Sequence, residues 1–351
     1  MRDTTPHLLA DIGGTNARFA LAREDGRIER IATLACAEHA EFVHAVRAYL
    51  DGFADTPVKH AVIAIANPIN GDMVKMTNHH WEFSIEASRR ALGVETLLVV
   101  NDFAALAMAV PSLDAAQLER VGGGTACGNA VIGVVGAGTG LGVAGLVPQD
   151  GSWIALESEG GHVSFSPNDE RELAVLRHCW RHYDHVSAER LVSGPGLLLI
   201  HEALASQRKG MESDQPGAAA IVARALQDND ALCLETLDCF CAMLGTVAGN
   251  LAVTLSAKGG IYIGGGVVPR LGSYFARSPF RRRFESKGRF STFNASIPTW
   301  VITAPFPAFA GAARILSRHL ARAAEGKMGS GTTMHPAMPG MPRVARQIGR
   351  Q

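Results

Sequence analysis

One unit occurs twice in this chain, and it restricts the fold more than any other feature. At the N-terminus, His7–Leu9 leads into Asp11-Ile12-Gly13-Gly14-Thr15-Asn16, and Ala17–Ala22 alternates out again. Near the middle, Ala130–Val135 leads into the glycine-rich Gly136–Gly142, and Val143–Pro148 follows. Both read as strand, tight glycine turn, strand. Short β-branched runs accompany each copy: Val58–Ala66 and Leu97–Val100 with the first, Gly260–Ile263 with the second. Such runs suit strands buried on both faces. Helical stretches lie between them, at about Ala37–Leu50, Asp102–Ala109 (ended by Pro111) and Leu232–Leu255. The repeated grammar predicts two related α/β lobes, with a boundary near Pro111.

Composition narrows the class. With 351 residues, 47% of them hydrophobic, the chain can bury a sizeable core and is neither disordered nor fibrous. Lys plus Arg equals Asp plus Glu, 33 against 33, so charge gives no reason to expect nucleic acid or an anionic membrane as partner. No Cys-x-x-Cys pair is present, and Cys233, Cys239 and Cys241 fall in the long helical stretch. They read as small core residues in a reducing cytosol rather than metal ligands. Asp3 and His7 interrupt the start, so no signal peptide is expected. The longest apolar run, Val131–Val147, contains six glycines and fits two strands around a turn better than a membrane helix. Ser206–Gly217 reads as a surface loop. Residues 325–351 lack hydrophobic periodicity and read as a disordered tail.

Several polar residues sit where chemistry is feasible. Gly13 and Gly14 allow close backbone approach and expose N–H groups, and Thr15 adds a hydroxyl, a set that suits phosphate oxygens. Asp11, at the strand end, is suited to hold magnesium directly or through water. An ordinary glycine hairpin with a turn aspartate fits the same residues. Gly136–Gly142 favours the phosphate reading, although it is neither a Walker A loop nor a dinucleotide fingerprint. Gly264-Gly265-Gly266 offers a third flat backbone surface, for an adenine and ribose. Asn101-Asp102 closes a strand and opens a helix, either as a cap or as a carboxylate at a strand's carboxyl edge. Glu159-Gly160-Gly161-His162 and Glu189 add polar groups that, alone, read as a loop glutamate, a satisfied core histidine and an ordinary helix-turn carboxylate.

Taken together, Ala10–Arg18, Asn101-Asp-Phe, Gly136–Gly142, Glu159–His162, His185–Gly196 and Gly264–Pro269 resemble the bacterial glucokinase family, in order and in spacing. The resemblance runs from about Leu8 to Leu320. It implies the actin-like ATPase fold: two ribonuclease H-like α/β lobes with a cleft between them. Residues 1–110 would form a small domain completed by a helix at about 305–324, and 111–304 a large one. It implies that Asn101, Asp102, Glu159, His162 and Glu189 bind glucose, with Asp102 as catalytic base. Ala10, Asp11, Ile12, Gly13, Gly14 and Thr15 would bind ATP, with Gly138 and Thr139 cradling the same phosphates. Magnesium would be held mainly through ATP, with Asp11 reaching it through water. A cytoplasmic homodimer is the expected state. No Cys-rich zinc motif follows His162 and no helix-turn-helix precedes Leu8, which argues against the related repressors. Asn78 is a further candidate for a sugar hydroxyl. A kinase for another hexose, an idle sugar sensor and a filament-forming switch are the competing readings, and the intact Asp102 weighs against the sensor.

Overall fold

The computed structural model describes residues 5–53, 56–76, 79–208 and 216–328. Met1–Leu316 forms one compact unit and Ser317–Gln351 a second. The first half contains β1 (His7–Ile12), β2 (Asn16–Ala22), β3 (Ile28–Ala35), β4 (His60–Ile65), β5 (Met73–Lys75), β6 (Glu82–Ser84) and β7 (Thr96–Asn101). Apart from the small β5–β6 hairpin, these build a five-stranded sheet ordered β3-β2-β1-β4-β7. Strands β1, β2 and β3 form an antiparallel meander, and β4 and β7 run parallel to β1.

The second half repeats the plan with β8 (Leu118–Val121), β9 (Ile132–Ala137), β10 (Leu141–Gln149), β11 (Ser152–Ser158), β12 (Ile261–Gly264) and β13 (Thr299–Ile302). Their order is β11-β10-β9-β12-β13-β8. Again a meander (β9, β10, β11) is followed by two strands parallel to the first, here β12 and β13. Strand β8 adds an antiparallel edge.

The strand sequences explain the placement. The central parallel strand β4 buries Ala61 to Ile65 without interruption, as a strand covered on both faces must. Edge strand β3, Ile28–Ala35, mixes charged and apolar residues and has no fully buried position. That mixture hid it from the sequence pattern, as it did the exposed edge strand β11.

Helices α1 (Phe42–Asp51) and α2 (Ile85–Leu92) accompany the first sheet, and α3 (Asp102–Ala109), which follows β7, packs on the second, with Leu106 and Met108 in one core cluster with Val134, Ala144 and Leu146. Helices α4 (Glu170–Cys179), α5 (Ala188–Leu191), α6 (Gly194–Ala205), α7 (Ala218–Gln227) and α8 (Ala231–Leu255) follow the second meander. The chain then forms α9 (Ser273–Arg277), α10 (Phe280–Glu285), α11 (Ser291–Ser296) and α12 (Pro307–Met328). Helix α8 is apolar nearly all round, which requires burial. Among the described residues it is the one helix long and apolar enough to cross a membrane, but 78% of its apolar window lies inside the protein. Cys233, Cys239 and Cys241 are core residues there, and burial pushes the Cys239 and Cys241 thiols up to about 12.

Three boundaries differ from the sequence reading. Ala37–Leu50 is not one helix: a 3-10 turn at Cys36–Glu38 precedes α1. The linking segment is held by tertiary bonds instead, with Cys36 N–H donating to the Thr15 carbonyl and Trp81 Nε1–H to the His39 carbonyl. The second glycine turn is shorter than Gly136–Gly142, because Gly136 and Gly142 pair with each other in the β9–β10 ladder. Helix α12 continues to Met328, into the segment read as tail, and residues 329–351 lie outside the described ones, as do Asn78 and residues 209–215. At its start, α12 crosses α3 at close range: a Cβ on Gly311 would overlap the Ala105 carbonyl.

Candidate functional site

Register brings the first group of candidates together. Ile12 at the end of β1 pairs with Ile65 of β4, and Ile65 pairs with Asn101 of β7. The glycine turn after β1 and the Asn101-Asp102 step therefore share one sheet edge, at the carboxyl ends of parallel strands. Ligands of α/β proteins gather at such edges.

Asp11 faces Arg18 across the β1–β2 hairpin, and Arg18 Nη1 donates to Asp11 Oδ2 at 3.0 Å. Burial raises the Asp11 carboxyl above the usual range, and Arg18 pulls it back. Arg18 was assigned no role in the sequence reading, although a turn centred between Gly14 and Thr15 puts residue 18 opposite residue 11. Gly13 N–H closes the turn on the Asn16 carbonyl at 3.0 Å. Beneath the turn, the Cys36 thiol donates to the Gly13 carbonyl at 3.6 Å.

Asn101 and Asp102 divide the work of the β7–α3 junction. Asn101 is the helix cap, its Oδ1 accepting from Phe103 N–H at 2.9 Å and Ala104 N–H at 3.0 Å. The cap leaves Asn101 only its amide N–H groups for a ligand. Asp102 begins the helix and accepts from Phe103 N–H at 2.9 Å. Its pKa is pushed up to about 6, first by burial, then by the charges of Asp11 and Glu159. Both carboxylates are thus close enough to Asp102 to be felt, although Glu159 follows a strand of the other sheet.

Glu159, His162 and Glu189 come together through the second sheet. Gly160–His162 forms a 3-10 turn just after β11. His162 Nε2 lies 3.9 Å from Glu159 Oε2 and 3.9 Å from Glu189 Oε1. Phe165 N–H bonds the Val186 carbonyl and Ala188 N–H bonds the Val163 carbonyl. This short pairing carries Glu189 to the side of His162, and the Ser187 cap on Arg190 N–H starts α5 there. Glu189 spends its other oxygen on the second glycine turn, with Oε2 accepting from Leu141 N–H at 2.9 Å.

The second turn sits at the matching edge of its own sheet, since Gly136 of β9 pairs with Gly264 of β12. Gly138 N–H bonds the Gly140 carbonyl, and Gly194 N–H at the start of α6 bonds the Gly138 carbonyl, both at 2.8 Å. Thr139 is exposed at the tip, and open space adjoins Gly138 and Gly266.

A metal fits this donor set only with help. Asp11 keeps Oδ1 after Arg18 takes Oδ2, but among the described residues no group of three His, Cys, Asp or Glu is placed to hold a metal. Hard cations such as magnesium accept phosphate oxygens and water for the remainder.

Two mixed sheets of one connectivity, with glycine turns and carboxylates at the carboxyl ends of their parallel strands, define a duplicated α/β protein with its candidate ligand site at the sheet edges. The chain belongs to the glucokinase family, whose model matches residues 8–319. A bifunctional protein glk of Burkholderia pseudomallei is 58% identical over 315 residues, which is 90% of this chain and 49% of that protein. A glucokinase of Chromobacterium violaceum is 53% identical over 316 residues, 90% of each chain. The crystal structure of glucokinase from an Antarctic psychrotroph superimposes with a TM-score of 0.79 at 37% identity, covering 90% of this chain and 100% of that one. The chain spans about half the length of the bifunctional relatives it matches.

Proposed function

We propose that this chain transfers the γ-phosphoryl group of ATP to the 6-hydroxyl of D-glucose, giving glucose 6-phosphate and ADP. The observation that carries the proposal is the setting of Asp102. It stands at a strand end, between the Asp11 turn and the Glu159 carboxylate, with its pKa raised to about 6. A base with a pKa near the operating pH combines the ionised state with the strongest driving force for taking a proton.

The two sheets are then the cores of two ribonuclease H-like lobes, divided near Pro111, with the site in a cleft between them. Glucose lies among Glu159, His162 and Glu189, whose acceptors and donors match several hydroxyls at once. Asn101 contributes its amide N–H groups. Asp102 takes the proton of the 6-hydroxyl, the sugar oxygen forms a bond to the γ-phosphorus, and the bond to the β–γ bridging oxygen breaks with its electron pair leaving on ADP. Ala10 to Thr15 and the Gly138-Thr139 tip bind the phosphates from two sides. Magnesium, when bound with ATP, would offset the charge on the phosphate oxygens, and Asp11 would be the carboxylate to hold it through water. Exclusion of bulk water would suppress hydrolysis of ATP. A homodimer in the cytoplasm is the state the family suggests.

The test is ATP consumption by purified protein with magnesium and a panel of hexoses, with Asp102→Asn as control. Strong turnover with glucose alone, lost in the variant, is the expected result. Preference for another hexose would change the substrate and keep the mechanism. Glucose binding without turnover would replace the enzyme by a sensor.

A further inference from the structure

The three residues that follow the second glycine tip together touch three parts of the proposed sugar site. A Cβ built on Gly140 would overlap the Glu189 carboxylate. Leu141 donates its N–H to that carboxylate at 2.9 Å. Its carbonyl lies against Gly161, where a Cβ would overlap it, between Glu159 and His162. A Cβ on Gly142 would overlap the Phe103 ring, one residue after Asp102. The Glu189 segment, the Glu159–His162 turn and the start of α3 thus all rest on one stretch of backbone. The same stretch continues into the Gly138-Thr139 tip, with no intervening loop.

We infer that Gly140, Leu141 and Gly142 are positioning residues that set the sugar-binding groups and the base against the phosphate tip. The inference rests on the glucose phosphorylation proposed above. Leu141 and Gly142 are held in the ladder to β9, and from Val143 onward β10 is also paired with β11, so this stretch has little freedom to shift to suit a displaced side chain. Only glycine leaves the Glu189 carboxylate room to lie on the strand and reach Leu141 N–H. At position 142 only glycine leaves room for the Phe103 ring. The two positions therefore control different quantities: Gly140 the sugar contacts made through Glu189, Gly142 the aim of Asp102.

Displacements near 1 Å at a reacting centre can cost about a hundredfold, which makes the split measurable by steady-state kinetics. Gly140→Ala should raise the KM for glucose at least about tenfold with kcat changed less than about threefold. Gly142→Ala should lower kcat at least about tenfold with the glucose KM changed less than about threefold, and adding Phe103→Leu should restore part of the loss. Gly128→Ala, where a Cβ meets open space, is the control. Unchanged kinetics in both variants, or one identical loss in both, would overturn the assignment. A measurement on the unaltered protein covers the case of a variant that does not fold. Glucose alone, without nucleotide, should slow amide hydrogen exchange in residues 138–142, and no change there would sink the inference. Absence of glucose turnover in the wild type would instead refute the proposed activity, so the two failures are distinct.

Discussion

The turn after β1 carries its own charge. Asp11 and Arg18 face each other across the hairpin at 3.0 Å, and the neighbouring Asp102 feels the Asp11 carboxylate through its raised pKa. The turn after β9 has no charged residue between Ala137 and Leu141, and beyond its own Gly138 N–H bond to the Gly140 carbonyl it borrows support: the Glu189 carboxylate on Leu141 N–H and the Gly194 amide on the Gly138 carbonyl. One connectivity has been used twice, once around a charged pair and once around an uncharged turn. The difference teaches that the glycines serve unlike purposes. In the proposed reading Gly13 and Gly14 open the first turn to phosphate, whereas Gly140 and Gly142 beside the second make room for the Glu189 and Phe103 side chains.

Asp102→Asn breaks the charged side of this comparison most severely. The amide keeps the size of the side chain and an oxygen for Phe103 N–H, but it cannot take a proton. Turnover should fall by about 10²–10⁴-fold, with glucose affinity by calorimetry largely kept. Wild-type turnover in this variant would remove Asp102 from the chemistry. Asp11→Asn should have a smaller effect, a loss of about ten- to a hundredfold in kcat/KM for magnesium–ATP, visible as an increased magnesium requirement. Thr139→Ala at the uncharged tip should change the same constant less than about threefold. Equal losses in the two variants would mean that the second turn carries as much of the phosphate binding as the first.

Acid sharpens the same distinction. Asp102 must be ionised to act, and its pKa is about 6. The rate constant kcat/KM for glucose should be flat above pH 7 and fall about tenfold per unit below the pKa. Asp11→Asn removes one of the charges that raise it, so the falling limb should move to lower pH. A limb that stays put in that variant would show that burial alone sets the pKa.

The first turn was legible in the sequence because its parts are local. A glycine pair between two alternating runs fixes the hairpin, and Asn-Asp after an apolar run marks both a strand end and a helix cap. The pairing of Asp11 with Arg18 was also available, by counting outward from the turn. Glu159, His162 and Glu189 were different: only their resemblance to a family joined them. Physically they meet through the short pairing of residues 163–165 with 186–188, stabilised by two backbone hydrogen bonds that no local pattern announces. The support from Gly140, Leu141 and Gly142 was hidden for a related reason. A glycine that makes room for a distant side chain looks, in sequence, like one that makes a turn.

The smallest expected effect is on stability, and it runs opposite to the effect on rate. Asp102 has a folded-state pKa of about 6 against an ordinary value of 3.8, because burial and the carboxylates of Asp11 and Glu159 disfavour its charge. The folded protein therefore binds this proton more tightly than the unfolded chain does. The associated stabilisation is complete below about pH 4 and is lost as pH rises through 6. At pH 8 the ionised side chain costs the fold about 1–2 kcal/mol once partial solvation is allowed for. Asp102→Asn removes that cost, so denaturant melts at pH 8 should show the variant more stable by that amount, with the advantage gone at pH 4. The uncharged second turn has no equivalent: Thr139→Ala should leave the pH dependence of stability unchanged. A less stable Asp102→Asn at pH 8 would mean that the carboxylate is structurally favoured where it stands, and that its raised pKa is not a cost borne for catalysis.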